Sequence, residues 1–346
     1  MIGIGGREVG PGRPCFVIGE AGVNHNGDLG MARKLVDAAA EAGADAVKFQ
    51  TFSADATAAP DAALADYQAR AAGAPESQHA LLAGLELPRE AYAELKARAE
   101  ARGLVFLSTV FDEPSLALLE PLNLAAYKIP SGEIVNRRFL DAVGRKNHAV
   151  ILSTGMARLG EIDRALCTLR ASGCNEIALL HCVSCYPAPA EACNLAVLSV
   201  LARSFGVPVG FSDHTGGTAV ALAAVARGAC ILEKHFTLDR GLPGPDHAAS
   251  LEPGELASLI RDVRTVESAL GLPEKAPQEC ELEVSRKVRK SLQARVPITA
   301  GEALSADMLH ARRGAGLPVS SLDDLVGRKV ARTLAAGEPL LDADLI

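Results

Sequence analysis

Gly206-Val207-Pro208-Val209-Gly210-Phe211-Ser212-Asp213-His214 is followed, some fifteen residues on, by Gly228-Ala229-Cys230-Ile231-Leu232-Glu233-Lys234-His235. The two stretches share one plan: an opening glycine, a short aliphatic run, then a carboxylate with a histidine close behind. The aliphatic runs have strand length, and Thr218 to Arg227 between them has helical spacing. Outward from this pair the same alternation fills the first 235 positions. Further strand-like runs are Cys15 to Gly19, Ala46 to Phe49, Leu104 to Ser108, Ala125 to Ile129, Ala149 to Ser153 and Glu176 to His181. Helical patterns lie at Leu29 to Ala42, Glu90 to Arg102 and Ile162 to Ala171. Gly43, Gly103, Gly173, Gly206 and Gly228 stand at helix exits, where left-handed dihedrals favour glycine. Eight such units predict a parallel sheet closed as an α/β (β/α)8 barrel of the TIM type, with a doubly wound open sheet as the alternative.

A chain of 346 residues exceeds what one core usually serves, so a barrel of about 250 residues with an appendage is expected. The pattern changes after Leu270, giving a barrel domain over 1–272, a linker over 273–290 and a small β-rich domain over 291–346. Apolar residues make up 49% and charged residues 22%, which suits a globular enzyme and excludes disorder. The net charge of −7, with scattered lysines and arginines, gives no footprint for nucleic acid or an anionic membrane. No signal-peptide pattern or long apolar run occurs, so the expected location is cytoplasmic. The eight cysteines lie mostly in apolar runs, as reduced thiols do. Cys182 and Cys185 form an isolated C-x-x-C, read as small buried residues ahead of zinc or redox chemistry.

In such a barrel the chemistry belongs where strands enter their following loops. All eight runs end in polar groups, but a strand end is polar for ordinary reasons too. Lys48 and Lys128 are different, because both are written inside apolar strands, where an unpaired ammonium is costly. A bound anion would offset that cost, with Ser131, Ser153 and Ser212 completing a phosphate cradle. Structural ion pairs of Lys48 with Glu20 and Lys128 with Glu133 are the plainer alternative. His214 and His235 follow adjacent strands and suit a divalent ion, acid–base work or core packing. His25 and His247 sit where they could meet substrate, whereas His148 and His181 read as structural.

Several ordered motifs then carry a resemblance. They are Ile18-Gly19-Glu20-Ala21-Gly22-Val23-Asn24-His25-Asn26-Gly27, Val47-Lys48-Phe49-Gln50-Thr51, Leu107-Ser108-Thr109 and Tyr127-Lys128-Ile129-Pro130-Ser131-Gly132-Glu133. Leu152-Ser153-Thr154-Gly155-Met156, Gly210-Phe211-Ser212-Asp213-His214-Thr215, Glu233-Lys234-His235-Phe236-Thr237-Leu238-Asp239 and Gly244-Pro245-Asp246-His247 continue the series. Together they resemble the sialic acid synthase family, including its legionaminic, pseudaminic and spore-coat relatives, and the C-terminal part resembles their antifreeze-like (SAF) domain. Ala65-Asp66-Tyr67-Gln68, with Glu76-Ser77-Gln78, looks like the legionaminic and spore-coat branches.

The resemblance implies condensation of phosphoenolpyruvate with an N-acyl hexosamine aldehyde, either N-acetylmannosamine or a 2,4-diacetamido-trideoxyhexose. It implies manganese, or another divalent ion such as magnesium or cobalt, on His214 and His235. Phosphoenolpyruvate would be held by Lys48, Thr109, Lys128, Ser131, Ser153, Ser184 and Ser212. Gln50, Tyr186 and Asp246 would face the sugar, with Glu20 and Glu133 there as the proton-transfer candidates. A domain-swapped homodimer would bring Arg312 from the second subunit to the acyl group. Two positions depart from the family pattern: Arg312-Arg313-Gly314 lacks a central proline, and Ser184 stands where some members have asparagine. Other readings of the residues are a Schiff-base pyruvate aldolase using Lys128 or Lys234, and a noncatalytic carbohydrate- or ice-binding protein.

Overall fold

The computed structural model describes residues 1–64, 69 and 75–346, so Ala65-Asp66-Tyr67-Gln68 lies outside the described residues. The chain divides into two compact units, Met1–Gly271 and Leu272–Ile346.

In the first unit, β1 (Ile2–Ile4) and β2 (Arg7–Val9) form a hairpin ahead of the barrel strands. Those strands are β3 (Phe16–Gly22), β4 (Ala46–Thr51), β5 (Val105–Val110), β6 (Ala126–Ile129), β7 (Ala149–Ser153), β8 (Ile177–Cys182), β9 (Val209–Asp213) and β10 (Ile231–His235). They pair in sequence order and β10 returns to β3, which closes the barrel and excludes the open sheet. Helices such as Leu29–Glu41, Ala91–Ala101, Leu159–Ala171 and Ala219–Ala226 alternate with the strands. The five glycines expected at helix exits all adopt positive φ.

Alternation along the strands sorts the residues into two cores. Val17, Val47, Phe211 and Leu232 pack outward against the helices. Phe16, Ile18, Ala46, Leu107, Ala126, Ile151 and Ile231 fill the interior near the N-terminal ends of the strands. Ile2, Ile4 and Val9 of the hairpin join this inner cluster and stop that end of the barrel. Burial of each of the three contributes about 1.5–3 kcal/mol. The hairpin was not expected, because three-residue strands are too short to show periodicity.

Strand β9 runs two residues and β10 three residues beyond their apolar runs, since ladder hydrogen bonding continues after hydrophobicity ends. Ser212, Asp213, Glu233, Lys234 and His235 therefore have fixed facings instead of sitting in loops. Glu233 pairs with Ser212 on the inner face, and Lys234 pairs with Asp213 on the outer face. His235 lies opposite Glu20, Glu20 opposite Lys48, and Thr109 opposite Lys128.

In the second unit, the expected linker 273–290 contains a helix, Glu279–Val288. None of its residues is buried, and its apolar side chains Leu282, Val284 and Val288 stay exposed. Then β11 (Lys290–Ala294) and β12 (Leu309–Arg313) pair antiparallel, and single bridges such as Ile298 to Leu334 and Val330 to Leu345 complete the fold. Its core includes Leu292, Ile298, Leu309, Val330 and Leu340. Among the described residues no helix is long and apolar enough to cross a membrane.

Candidate active site

The inward-facing polar residues meet in a cavity of about 340 Å³ at the C-terminal mouth of the barrel. Its lining includes Glu20, Lys48, Gln50, Thr109, Lys128, Ser131, Ser153, Ser184, Tyr186, Ser212, His214, His235 and Asp246. Glu233, given no role from sequence, lies among them.

The floor is a buried charge network. Lys48 and Lys128 are 2% and 3% exposed. The Lys48 ammonium is 2.7 Å from Glu20 Oε2 and 3.6 Å from Glu233 Oε2, and it donates to Thr109 Oγ1 at 2.6 Å. Lys128 Nζ donates to Ser153 Oγ at 2.7 Å and lies 4.0 Å from Glu233 Oε1. Burial alone would lower the Lys48 pKa, but Glu20 and Glu233 outweigh it and hold Lys48 above its usual value. For Lys128 burial wins and its pKa falls. Burial pushes Glu20 up to about 7 against the pull of Lys48. Glu233 goes the other way: burial is overcome by Lys128 and Lys48, and its carboxyl stays ionised. The plainer pairing of Lys48 with Glu20 is thus present, while Lys128 pairs with Glu233 and not with Glu133.

Beside the floor stand two imidazoles with ring centroids 5.6 Å apart. Nδ1–H of His214 donates to the Val183 carbonyl at 2.7 Å. The lone pair is thereby left on Nε2, which lies 3.2 Å from Ser212 Oγ. Nδ1 of His235 is buried without a hydrogen-bond partner and lies 3.7 Å from Asp246 Oδ2. Desolvation lowers both histidine pKa values and raises that of Asp246 to about 6. Neutral imidazoles, one oriented by a carbonyl and one with an unsatisfied nitrogen, fit a divalent cation. Among the described residues no group of three or more His, Cys, Asp or Glu is arranged to hold a metal. The Tyr186 ring lies 4.2 Å from that of His214.

Gly155 N–H donates to Ser131 Oγ at 3.0 Å. A Cβ on Gly155 would come within 2.5 Å of Ser184 Oγ and 2.8 Å of Ser131 Oγ. Glycine is what lets the two hydroxyls close around this backbone N–H.

Residues 35–275 match the NeuB family and residues 289–346 match the SAF domain. The chain belongs to the NeuB family. Over 319 residues it is 45% identical to the N,N'-diacetyllegionaminic acid synthase of Campylobacter jejuni, covering 91% of this chain and 96% of that one. The enzyme of the same name from Legionella pneumophila is 43% identical over 332 residues, covering 94% and 93%. The crystal structure of the N-acetylneuraminic acid synthetase of Leptospira borgpetersenii, solved with citrate, matches with a TM-score of 0.72 at 34% identity, covering 83% of this chain and 96% of that one.

Several expected residues of this NeuB-family chain fall elsewhere. Glu133 is outside the cavity lining, and its Oε2 accepts from Asn136 Nδ2 at 2.7 Å within a short turn. Arg312, expected to act from a second subunit and not at its own chain's cavity, is exposed on β12 of the second unit, opposite Ser291. Lys234 faces outward, where its ammonium donates to Asp213 Oδ2 at 2.8 Å and to the Thr215 carbonyl at 2.6 Å. That geometry removes Lys234 as a Schiff-base amine.

His25 and His247 are also outside the lining. His25 Nδ1 accepts from Gly27 N, and His247 bonds to Thr237 and Asn26, so both tie loops together. His181 bonds to the Cys193 carbonyl, and His148 packs edge-on against Tyr127. All eight cysteines are free; Cys182 is buried with its Sγ 3.2 Å from Ser131 Oγ, whereas Cys185, read from sequence as buried, is exposed. Alternation through β10 was the signal for Glu233, since inward-facing Ile231 and His235 bracket it.

Proposed function

We propose that the chain joins phosphoenolpyruvate to the open-chain aldehyde of an N-acyl hexosamine, releasing inorganic phosphate and forming a nine-carbon 2-keto-3-deoxy acid. The observation that carries this reading is one cavity holding two buried lysines beside two neutral imidazoles. Three-carbon anion and aldehyde thereby acquire separate, adjacent footholds. The relatives' names support the same chemistry, and N,N'-diacetyllegionaminic acid favours the 2,4-diacetamido sugar over N-acetylmannosamine.

Lys48, Lys128, Thr109 and the hydroxyls of Ser131, Ser153, Ser184 and Ser212 hold the carboxylate and phosphate of phosphoenolpyruvate. Gln50, Tyr186 and Asp246 orient the sugar. His214 and His235 would hold a divalent ion, manganese first among the candidates, which when bound polarises the aldehyde carbonyl. The methylene carbon of phosphoenolpyruvate attacks the aldehyde carbon, and the new alkoxide takes a proton. Glu20 is the buried carboxyl poised to supply that proton near neutral pH. Water then adds to the cation-like enol carbon, and cleavage of its carbon–oxygen bond frees phosphate. Glu133, bonded to Asn136 at the rim, is the weaker of the two proton-transfer candidates.

A homodimer in which Arg312 of the second copy reaches the acyl group belongs to the same proposal, as does a cytoplasmic setting where phosphoenolpyruvate is made. Deleting residues from Ser291 onward then impairs sugar use. The deciding assay combines enzyme, manganese, phosphoenolpyruvate and the amino sugars, with mass detection of the nine-carbon acid and phosphate. Product formation that stops on chelation supports the reading. The lowered pKa of Lys128 favours one rival, an imine to pyruvate. Trapping of pyruvate on Lys128 by borohydride would establish that rival and overturn the proposal.

A further inference from the structure

The chain leaving β8 carries a motif whose two thiols the proposed reaction does not use, Cys182-Val183-Ser184-Cys185. Its ends differ. Cys182 is the last residue of β8, fixed in the ladder opposite Ser212, and its buried thiol lines the cavity. Cys185 lies out on the loop with its thiol exposed, 3.5 Å from the Pro187 carbonyl oxygen. Between them the chain folds back on itself, with Cys185 N–H donating to the Val183 carbonyl at 2.9 Å.

We propose that Cys182 and Cys185 form an oxidation site: a peroxide converts the two thiols to a disulfide, and the closed bond switches the cavity off until a thiol reductant reopens it. The exposed thiol of Cys185 reacts first. Its sulfur takes one oxygen of hydrogen peroxide as the O–O bond breaks, giving a sulfenic acid and one water. The Cys182 sulfur then attacks that sulfur; the S–S bond forms, the S–O bond breaks, and a second water leaves with the remaining thiol hydrogen. Two thiols and one peroxide thus become one disulfide and two waters.

Two observations carry the inference. First, the motif is strung across the site, and each of its first three residues holds part of it. Cys182 Sγ lies 3.2 Å from Ser131 Oγ, and the Val183 carbonyl accepts from His214 Nδ1 at 2.7 Å. Ser184 Oγ and Cys182 Sγ flank the point where Gly155 lacks a Cβ, at 2.5 and 3.0 Å. Because β8 anchors Cys182, the bond closes by drawing Cys185 inward, and the two residues it spans must turn. Ser184 then parts from Ser131 and Gly155, and the Val183 carbonyl parts from His214. Loss of such an orienting partner costs an ion-binding imidazole roughly ten- to a hundredfold in affinity or activity. Second, the other thiols are worse placed for this chemistry. Desolvation raises the pKa of Cys15, Cys174, Cys193 and Cys230, which keeps them as unreactive thiols. Cys167 and Cys280 are exposed, but each is the sole cysteine of its helix, Leu159–Ala171 and Glu279–Val288.

In the test, reduced full-length enzyme is treated with hydrogen peroxide, the remaining thiols are alkylated, and the segment carrying both cysteines is read by tandem mass spectrometry. The expected product is a Cys182–Cys185 disulfide, with turnover lowered by about tenfold or more and restored by dithiothreitol. Cys185→Ser keeps basal turnover and loses the reversible inactivation. Cys182→Ala stops the chemistry at the sulfenic acid of Cys185, which dimedone captures. Absence of the bond, a bond that leaves turnover unchanged, or reversible inactivation that survives Cys185→Ser would overturn the inference. Manganese binding, which weakens as the bond forms and recovers on reduction, reports on the cavity independently of the sugars. Bond formation with that change, in an enzyme that condenses no sugar, would overturn the synthase reading alone.

Discussion

Glu20 and Lys48 face each other at 2.7 Å across β3 and β4 with both side chains buried. Burial moves the carboxyl up to about 7, so near neutrality it is the acid of this pair that changes charge. Below about pH 7 Glu20 is protonated and Lys48 is free to meet an anion. As pH rises through that value a negative charge appears in the floor and the proton donor is lost. In the proposed reaction kcat/KM for phosphoenolpyruvate therefore falls above about pH 7, approaching roughly tenfold per pH unit. Glu20→Gln abolishes this alkaline limb, and pH profiles of both enzymes at saturating sugar decide the point.

Lys48→Ala raises KM for phosphoenolpyruvate by about ten- to a hundredfold, the range of one charge-assisted hydrogen bond of about 1.5–3 kcal/mol. An unaltered KM would remove Lys48 from the anion site.

His214→Ala and His235→Ala each lose stoichiometric binding of manganese, read by titration with paramagnetic resonance detection, along with turnover. Circular dichroism stays that of the parent. Full manganese binding by either variant would contradict the two-imidazole site.

Gly155→Ala puts a methyl 2.5 Å from Ser184 Oγ and 2.8 Å from Ser131 Oγ. The hydroxyls must part, so KM for phosphoenolpyruvate increases several-fold while the thermal midpoint moves little.

Asp213→Ala leaves the outward ammonium of Lys234 buried with its carboxylate gone, at a cost of about 3–5 kcal/mol in urea unfolding. The double variant Asp213→Ala with Lys234→Met recovers much of that loss. Equal destabilisation in both would mean that packing and not charge governs the position.

The barrel was legible because aliphatic runs, helical spacing and exit glycines recur with one period, and Lys48 and Lys128 stood out as charges where hydrophobic burial was due. Other features depend on information that only registers give. Lys234 and Glu233 are adjacent in sequence yet face opposite sides of the wall. Glu133 carries the motif that suggested a catalytic carboxyl, but its turn directs it to Asn136. The strands of the hairpin Ile2–Val9 are too short to show a period, and the helix Glu279–Val288 lies in a stretch read as linker, its apolar side chains Leu282, Val284 and Val288 left exposed.

With the hairpin stopping its far end, the barrel is a blind alley, and whatever enters first ends up behind whatever follows. The lysines lie deep, so in the proposed reaction the three-carbon anion must load before the sugar. Liberated phosphate then waits for the long acid to clear the passage, which makes the order of arrivals and departures a consequence of masonry at the opposite end of the molecule.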